Sequence, residues 1–166
     1  MRPLRRARWC ATAAAVLLVA CGGPSNHASN SSAQAEQKAT ARPCGLLSND
    51  DVVGALSAPV TSSTPLAQAA CTYMLPSASK QPGEVDVVVS DGRKGQNEWQ
   101  VDQSDPVNSI GGVGDEAWTI TNSQYHKIGV RRGDLYVFVT VVQDDPSSPT
   151  VDTLRTLAQD VLGHIS

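Results

Sequence analysis

The stretch from Val85 to Val142 constrains the fold more than any other part of this sequence. In "EVDVVVS" the residues Val85, Val87 and Val89 recur at every second position. "EAWTIT" alternates as well, with Trp118 and Ile120 on one side, and "HKIGVRR" puts Ile128 and Val130 on one side. An apolar period of two marks a strand with one buried face. "LYVFVTVV" is apolar at both sets of positions, which predicts an inner strand. The run from Val85 to Val142 therefore reads as mostly antiparallel sheet.

Helical patterns flank this region. "LLSNDDVVGAL" writes out a helix start: Ser48 as N-cap, Asp51 three places on as an aspartate version of the capping box, and Leu47 placed to staple onto Val52. Val52, Val53 and Leu56 then share a face, and Pro59 ends the helix. "CTYML" follows as a short strand, and "QNEWQVD" reads as a short helix. In "SPTVDTLRTLAQDVLGHIS", Ser148 is the expected cap, Pro149 suits the first helical position and Gly163 the stop. Val151, Leu154, Leu157, Ala158, Val161, Leu162 and Ile165 form its apolar stripe. The expected class is α+β: an antiparallel sheet of about five strands, with an N-terminal and a C-terminal helix packed on one face. No internal repeat is visible.

The first residues bear on location. "MRPLRRAR" carries Arg2, Arg5, Arg6 and Arg8 and no acid, and the next twelve residues, Trp9 to Ala20, are uncharged. A spanning helix needs about 20 apolar residues. A basic start, a shorter apolar run and small residues at its end describe a secretory signal peptide over residues 1–20. Its end, Leu18-Val19-Ala20-Cys21, resembles the lipobox of bacterial lipoproteins. That resemblance implies cleavage after Ala20 and a diacylglyceryl group on the Cys21 thiol, with two acyl chains making a stable membrane anchor. Residues 22–42 hold Gly, Ser, Asn, Ala and Gln with almost nothing to bury. With lipidated Cys21 they read as a disordered tether in which His27 is solvated. As a coil those 21 residues would reach about 25 Å. Residues 43–166 then form a single globular extracytoplasmic domain. Loss of the signal takes four of 13 basic residues, leaving nine against 16 acids, a formal charge of −7. Nucleic acid is therefore a poor partner, since phosphate neutralisation supplies most of that affinity. There is no polybasic patch for anionic lipid either.

Cysteine usage agrees. Cys10 leaves with the signal and Cys21 is acylated, so Cys44 and Cys71 remain. Two thiols outside the cytoplasm read as one disulfide. The rival readings are a metal pair and a redox pair. A separation of 27 positions, with no C-x-x-C and no nearby His, supports neither.

Motifs that suggest chemistry have plainer explanations. Gly112 to Ala117 fits the G-x-G-x-x-[GA] dinucleotide fingerprint. That loop must follow a strand and open a helix, and here it precedes the strand "EAWTIT", with Asp115 and Glu116 placed to repel phosphate. A glycine turn is expected and no cofactor is. Arg132-Gly133-Asp134 is an adhesion tripeptide in some proteins, but Gly and Asp between two alternating runs make a hairpin turn. No G-x-S-x-G occurs, and the only histidines of the domain, His126 and His164, lie at a strand start and a helix end. Asp102, Asp105, Asp144 and Asp145 lack calcium-loop spacing and read as solvated loop carboxylates, so no metal is expected. Trp99 and Trp118 are the candidates for a groove lining, but the core is the expected place for Trp118, while Trp99 sits among polar residues.

Lipobox, Ser/Ala-rich tether, "PCGLLSNDDV", a second cysteine in "ACTY", "GVGDEAW", "VRRGDLYV" and a terminal "LAQDVL" together resemble a family of small actinobacterial, mycobacterial-type lipoproteins. Their C-terminal domain has no known function. The likeness covers nearly all of the chain. It implies location, disulfide and fold, and carries over no catalytic residue. The expected function is a lipid-anchored, non-catalytic binding, accessory or regulatory module at the extracytoplasmic face of the cell membrane, with an unknown envelope protein or ligand as partner. The alternatives are a carrier of lipid or another hydrophobic ligand, and an unrecognised envelope hydrolase. Intact-mass analysis of the mature protein should show loss of residues 1–20 and an acylated Cys21, and Cys21→Ser should release or stall the protein. A soluble, unacylated mature form in wild-type cells would count against the anchor.

Overall fold

The computed structural model describes residues 27–66, 69–76, 83–102, 106–142 and 149–166. The signal-like segment, Cys21, Asp105, Asp144, Asp145 and Ser148 lie outside them. The elements run α1 (His27–Ala41), a one-turn 3-10 helix (Pro43–Gly45), α2 (Asn49–Leu56), β1 (Ser62–Pro65), β2 (Ala70–Leu75), β3 (Gly83–Asp91), α3 (Gly92–Asp102), β4 (Asn108–Ile110), β5 (Glu116–Thr121), β6 (His126–Arg132), β7 (Leu135–Val142) and α4 (Val151–Ile165). None of these helices is long and apolar enough to cross a membrane.

The doubly apolar run is the middle strand. β7 lies between β3 and β6 in a seven-stranded antiparallel sheet of order β1-β2-β3-β7-β6-β5-β4. Val139 stands opposite Val87 on one side and Ile128 on the other. Four of these strands, β3, β5, β6 and β7, match the periodic or doubly apolar runs in the sequence, and β2 matches "CTYML". The other two correct the expected count of about five. They are the edge strands β1, whose four residues are all exposed, and β4, three residues long.

The two faces are covered differently. Val85, Val87, Val89, Ile128, Val130, Val137, Val139 and Val141 share one buried cluster with Val52 and Leu56 of α2, Leu154, Leu157 and Val161 of α4, and Ala35 and Ala39 of α1. Val53 of α2 is exposed instead of sharing that face. On the other face Trp118, Ile120, Tyr136 and Phe138 gather under Trp99 of α3. Helices therefore flank both faces, because β7 is apolar on both and each side needs a cover.

Glycine lets α3 and Trp118 approach. A Cβ on Gly95 would lie 2.3 Å from the Tyr136 ring, and one on Gly129 would lie 2.4 Å from the Trp118 indole. The ring of Trp118 thus lies across the bare backbone of the residue opposite it in β6.

Three boundaries depart from expectation. Residues 22–42 are not a disordered tether throughout, since α1 begins at His27 and buries Ser32, Ala35 and Ala39. The ordered domain therefore starts ahead of Pro43. Small side chains lowered the apolar signal of that segment while still fitting a close helix–sheet contact. α4 starts at Val151 with Thr150 as its cap, the hydroxyl accepting from the Thr153 amide at 3.2 Å. It also runs through Gly163 to Ile165, which buries the last residue of the apolar stripe.

The start of α2 forms as the sequence indicates. The Ser48 hydroxyl accepts from the Asp51 amide at 3.1 Å, and the Asp51 carboxylate accepts from the Ser48 amide at 2.7 Å. Cys44 and Cys71 are joined in a disulfide, 27 positions apart in sequence with Cα atoms 5.0 Å apart. Closing a loop of that length stabilises by roughly 3–4 kcal/mol through the unfolded chain. The double variant Cys44→Ala, Cys71→Ala should lose about 3 kcal/mol in urea unfolding. An unchanged midpoint would show that the link contributes nothing.

Candidate functional site

The glycine-rich stretch "GGVGDEAW" is the hairpin loop between β4 and β5 and opens a strand. Gly112 and Gly114 have φ of +85° and +60°. The loop is tucked onto the body of the domain: Val113 is buried, the Gln159 amide of α4 donates to the Gly112 carbonyl at 3.2 Å, and the Asp115 amide donates to the Arg131 carbonyl at 2.7 Å. The Asp115 carboxylate then accepts from the Gly133 amide at 2.6 Å. Gly133, with φ of +61°, is the first residue of the two-residue β6–β7 turn. The two motifs that stood apart in sequence thus form one linked structure, with the aspartate of one capping the turn of the other.

The candidate ionisable groups are scattered. His164 meets Asp51 at 3.0 Å and joins the end of α4 to the start of α2. Burial works to raise the Asp51 carboxyl, but the Ser48 amide and hydroxyl and His164 outweigh it and hold it below its ordinary value. His126 is buried at the start of β6 with its Nδ1 unpartnered, and desolvation holds its pKa below the ordinary histidine value. Asp102 is not a solvated loop carboxylate. It ends α3 and pairs with Lys127 Nζ at 2.6 Å, with Glu98 also 3.8 Å from that nitrogen and the Phe138 ring centroid 4.9 Å away. Burial raises the Glu98 carboxyl, and Lys127 opposes the rise. This knot fastens α3 to the sheet. Among the described residues no group of three His, Cys, Asp or Glu side chains is arranged to hold a metal ion.

Trp99 and Trp118 do come together. Their ring centroids are 5.4 Å apart, Trp99 lies 5.8 Å from Tyr136, and Trp118 lies 6.3 Å from Phe138. Two surface hollows of about 250 and 300 Å³ meet at Trp99 and Glu116. One is walled by Trp118, Ile110, Val107 and Ser109, the other by Gln96, Gln100, Arg131 and Tyr136. Together they make a trough along the edge of α3. Arg131 Nη2 pairs with Glu116 Oε1 at 2.8 Å, and Asp115 also lines the trough, so its rim is polar with more acid than base. The Trp118 Nε1, inside a side chain only 2% exposed, has no hydrogen-bond partner. The sequence places Trp118 in the core, where it lies, and offers Trp99 as a groove candidate, but does not reveal Gln96, Gln100, Glu116 and Arg131. The available signal was Gln96 and Gln100 at helical spacing around Trp99.

Gly114 tests the structural role of the loop. A Cβ there would sit 2.5 Å from the Arg131 carbonyl oxygen, at a positive φ that β-branched residues avoid. Gly114→Val should cost about 2 kcal/mol or more in thermal or urea unfolding. A variant of wild-type stability would refute this account of the loop.

No protein-family model matches the sequence, and no curated protein or solved structure matches it either.

Proposed function

We propose that this chain is a lipid-anchored cell-envelope protein whose domain serves outside the cytoplasmic membrane as a non-catalytic binding or accessory module. Its location rests on the arginine-rich start, the short apolar run and the Leu18-Val19-Ala20-Cys21 sequence. The Cys44–Cys71 disulfide fits an oxidising compartment. The observation that carries the binding reading is the trough around Trp99: a concave surface walled by Trp99, Trp118 and Tyr136, with Gln96, Gln100, Asp115, Glu116 and Arg131 around it. A few polar groups around an aromatic hollow describe a ligand surface.

Photo-crosslinking in intact cells tests this. A photoreactive residue at exposed Gln100, on the trough rim, should give a defined adduct. The same residue at exposed Thr156, on α4 across the sheet, should not, and Arg131→Ala should weaken the Gln100 adduct. Equal labelling from both positions, or none from Gln100, would remove the trough from consideration.

A further inference from the structure

Between α1 and the β6–β7 turn lies a cleft of about 600 Å³, the size of a small-molecule site. Ser31 and Lys38 of α1 and Arg132 at the end of β6 give it polar walls, and Ala35, Leu135 and Ile165 supply its apolar lining. Lys38 and Arg132 are far apart in sequence but reach the same residue. Lys38 Nζ donates to the Ser166 carbonyl at 3.4 Å, and Arg132 Nη2 donates to the Ser166 hydroxyl at 2.9 Å. Lys38 is exposed and Arg132 half-buried, so both remain accessible from the cleft.

These two cations differ from others in the domain. Lys127, Arg131 and Arg155 each pair with a carboxylate. Among the described residues neither Lys38 nor Arg132 pairs with an Asp or Glu side chain, and no Asp or Glu lines the cleft. An ammonium has three donors and a guanidinium five, so each keeps donors beyond its bond to Ser166. A planar fork beside a compact point charge suits the oxygens of a phosphate. The apolar lining suits what is attached to that phosphate. We propose that this cleft binds the phosphate head of an anionic bilayer phospholipid, with Lys38 and Arg132 on the phosphate and the glycerol and first chain carbons along Ala35, Leu135 and Ile165.

The choice of occupant rests on the anchor proposed above. Five residues lie between Cys21 and α1. Fully extended, that stretch spans about 20 Å. Ser31 stands little more than one turn inside α1. With Cys21 acylated, the cleft is held within reach of the headgroups of its own leaflet. Tethering raises the effective concentration of those headgroups, so a site of modest affinity fills. The mature chain carries a formal charge of −7, so attraction of the whole domain to an anionic surface is not the cause. Recognition is local, and it is absent from the sequence as a basic run because its two cations come from α1 and β6.

Native mass spectrometry tests the cleft, using full-chain protein purified from membranes in non-ionic detergent. The probes are dioleoyl phosphatidylglycerol, dioleoyl phosphatidylcholine, whose choline would face the two cations, and inorganic phosphate. Phosphatidylglycerol should give one saturable adduct, about tenfold tighter than either of the others. Lys38→Gln and Arg132→Gln should each weaken that adduct by about tenfold. Arg132 also ties Ser166, so Gln34→Glu serves as an independent variant. It adds a carboxylate at an exposed lining position and should weaken the adduct with both cations in place. Arg155→Gln, outside the cleft, should leave binding unchanged. No adduct, equal binding of phosphatidylcholine or inorganic phosphate, or an adduct that survives all three cleft variants would overturn the proposal. The intact mass of the same sample reports acylation of Cys21, and the Gln100 crosslink reports the trough, so failure of either reading is distinct from failure of this one.

Discussion

The Tyr73 hydroxyl sets the geometry on which the helical layer depends. Tyr73 is fully buried in β2, where an unpartnered hydroxyl would be costly. It donates to the Leu47 carbonyl at 3.0 Å and accepts from the Leu47 amide at 3.1 Å, satisfying both backbone groups of that residue. Two positions earlier, on the same face of the strand, Cys71 holds Cys44. Adjacent points on one strand therefore pin residues 44 and 47, which fixes where the chain enters α2. Burial raises the Tyr73 pKa, its bond to the Leu47 backbone opposes the rise, and the nearby Asp51 charge adds to it. From this pin α2 reaches α4 through Asp51 and His164, and α4 in turn holds the Gly112 loop through Gln159.

The two faces of the sheet divide the work. The face bearing α1, α2 and α4 is built mainly from valine, leucine, isoleucine and alanine, with Cys71 and Tyr73 among them. The face bearing α3 concentrates Trp99, Trp118, Tyr136 and Phe138 in a small cluster. Such large rings fit beneath a single helix because Gly95 and Gly129 remove the side chains that would block them. Filling the gap under the Trp118 ring would cost packing strain of about 1–3 kcal/mol. The Lys127 knot with Asp102 and Glu98 then fixes the C-terminal end of α3, so Trp99 is placed from both sides. The trough is thus a by-product of how this face is packed, and its rim residues stand on a helix and two paired strands.

What was legible in sequence follows from which interactions are local or periodic. β3, β5, β6 and β7 announce themselves because burial of one or both faces imposes a period. The capping box of α2 could be read because its partners are three residues apart. β1 could not: its four residues are exposed, so nothing in "SSTP" reports the pairing of Ser63 with Tyr73. β4 is too short to show a period. α3 was glimpsed only in part, since its stability comes from Trp99 and an ionic knot with β6, contacts distant in sequence. The pairing of Trp99 with Glu116 and Arg131 was invisible for the same reason.

α1 shows where composition misleads. Low hydropathy argues for disorder when a helix must bury a wide apolar stripe, but a helix lying close against other elements needs only small residues at its contacts. Ala35 and Ala39 together contribute roughly 2 kcal/mol of burial. Alanine, glutamine and lysine favour the helix through their propensity, and Lys38 ties it to the Ser166 carbonyl at the end of α4.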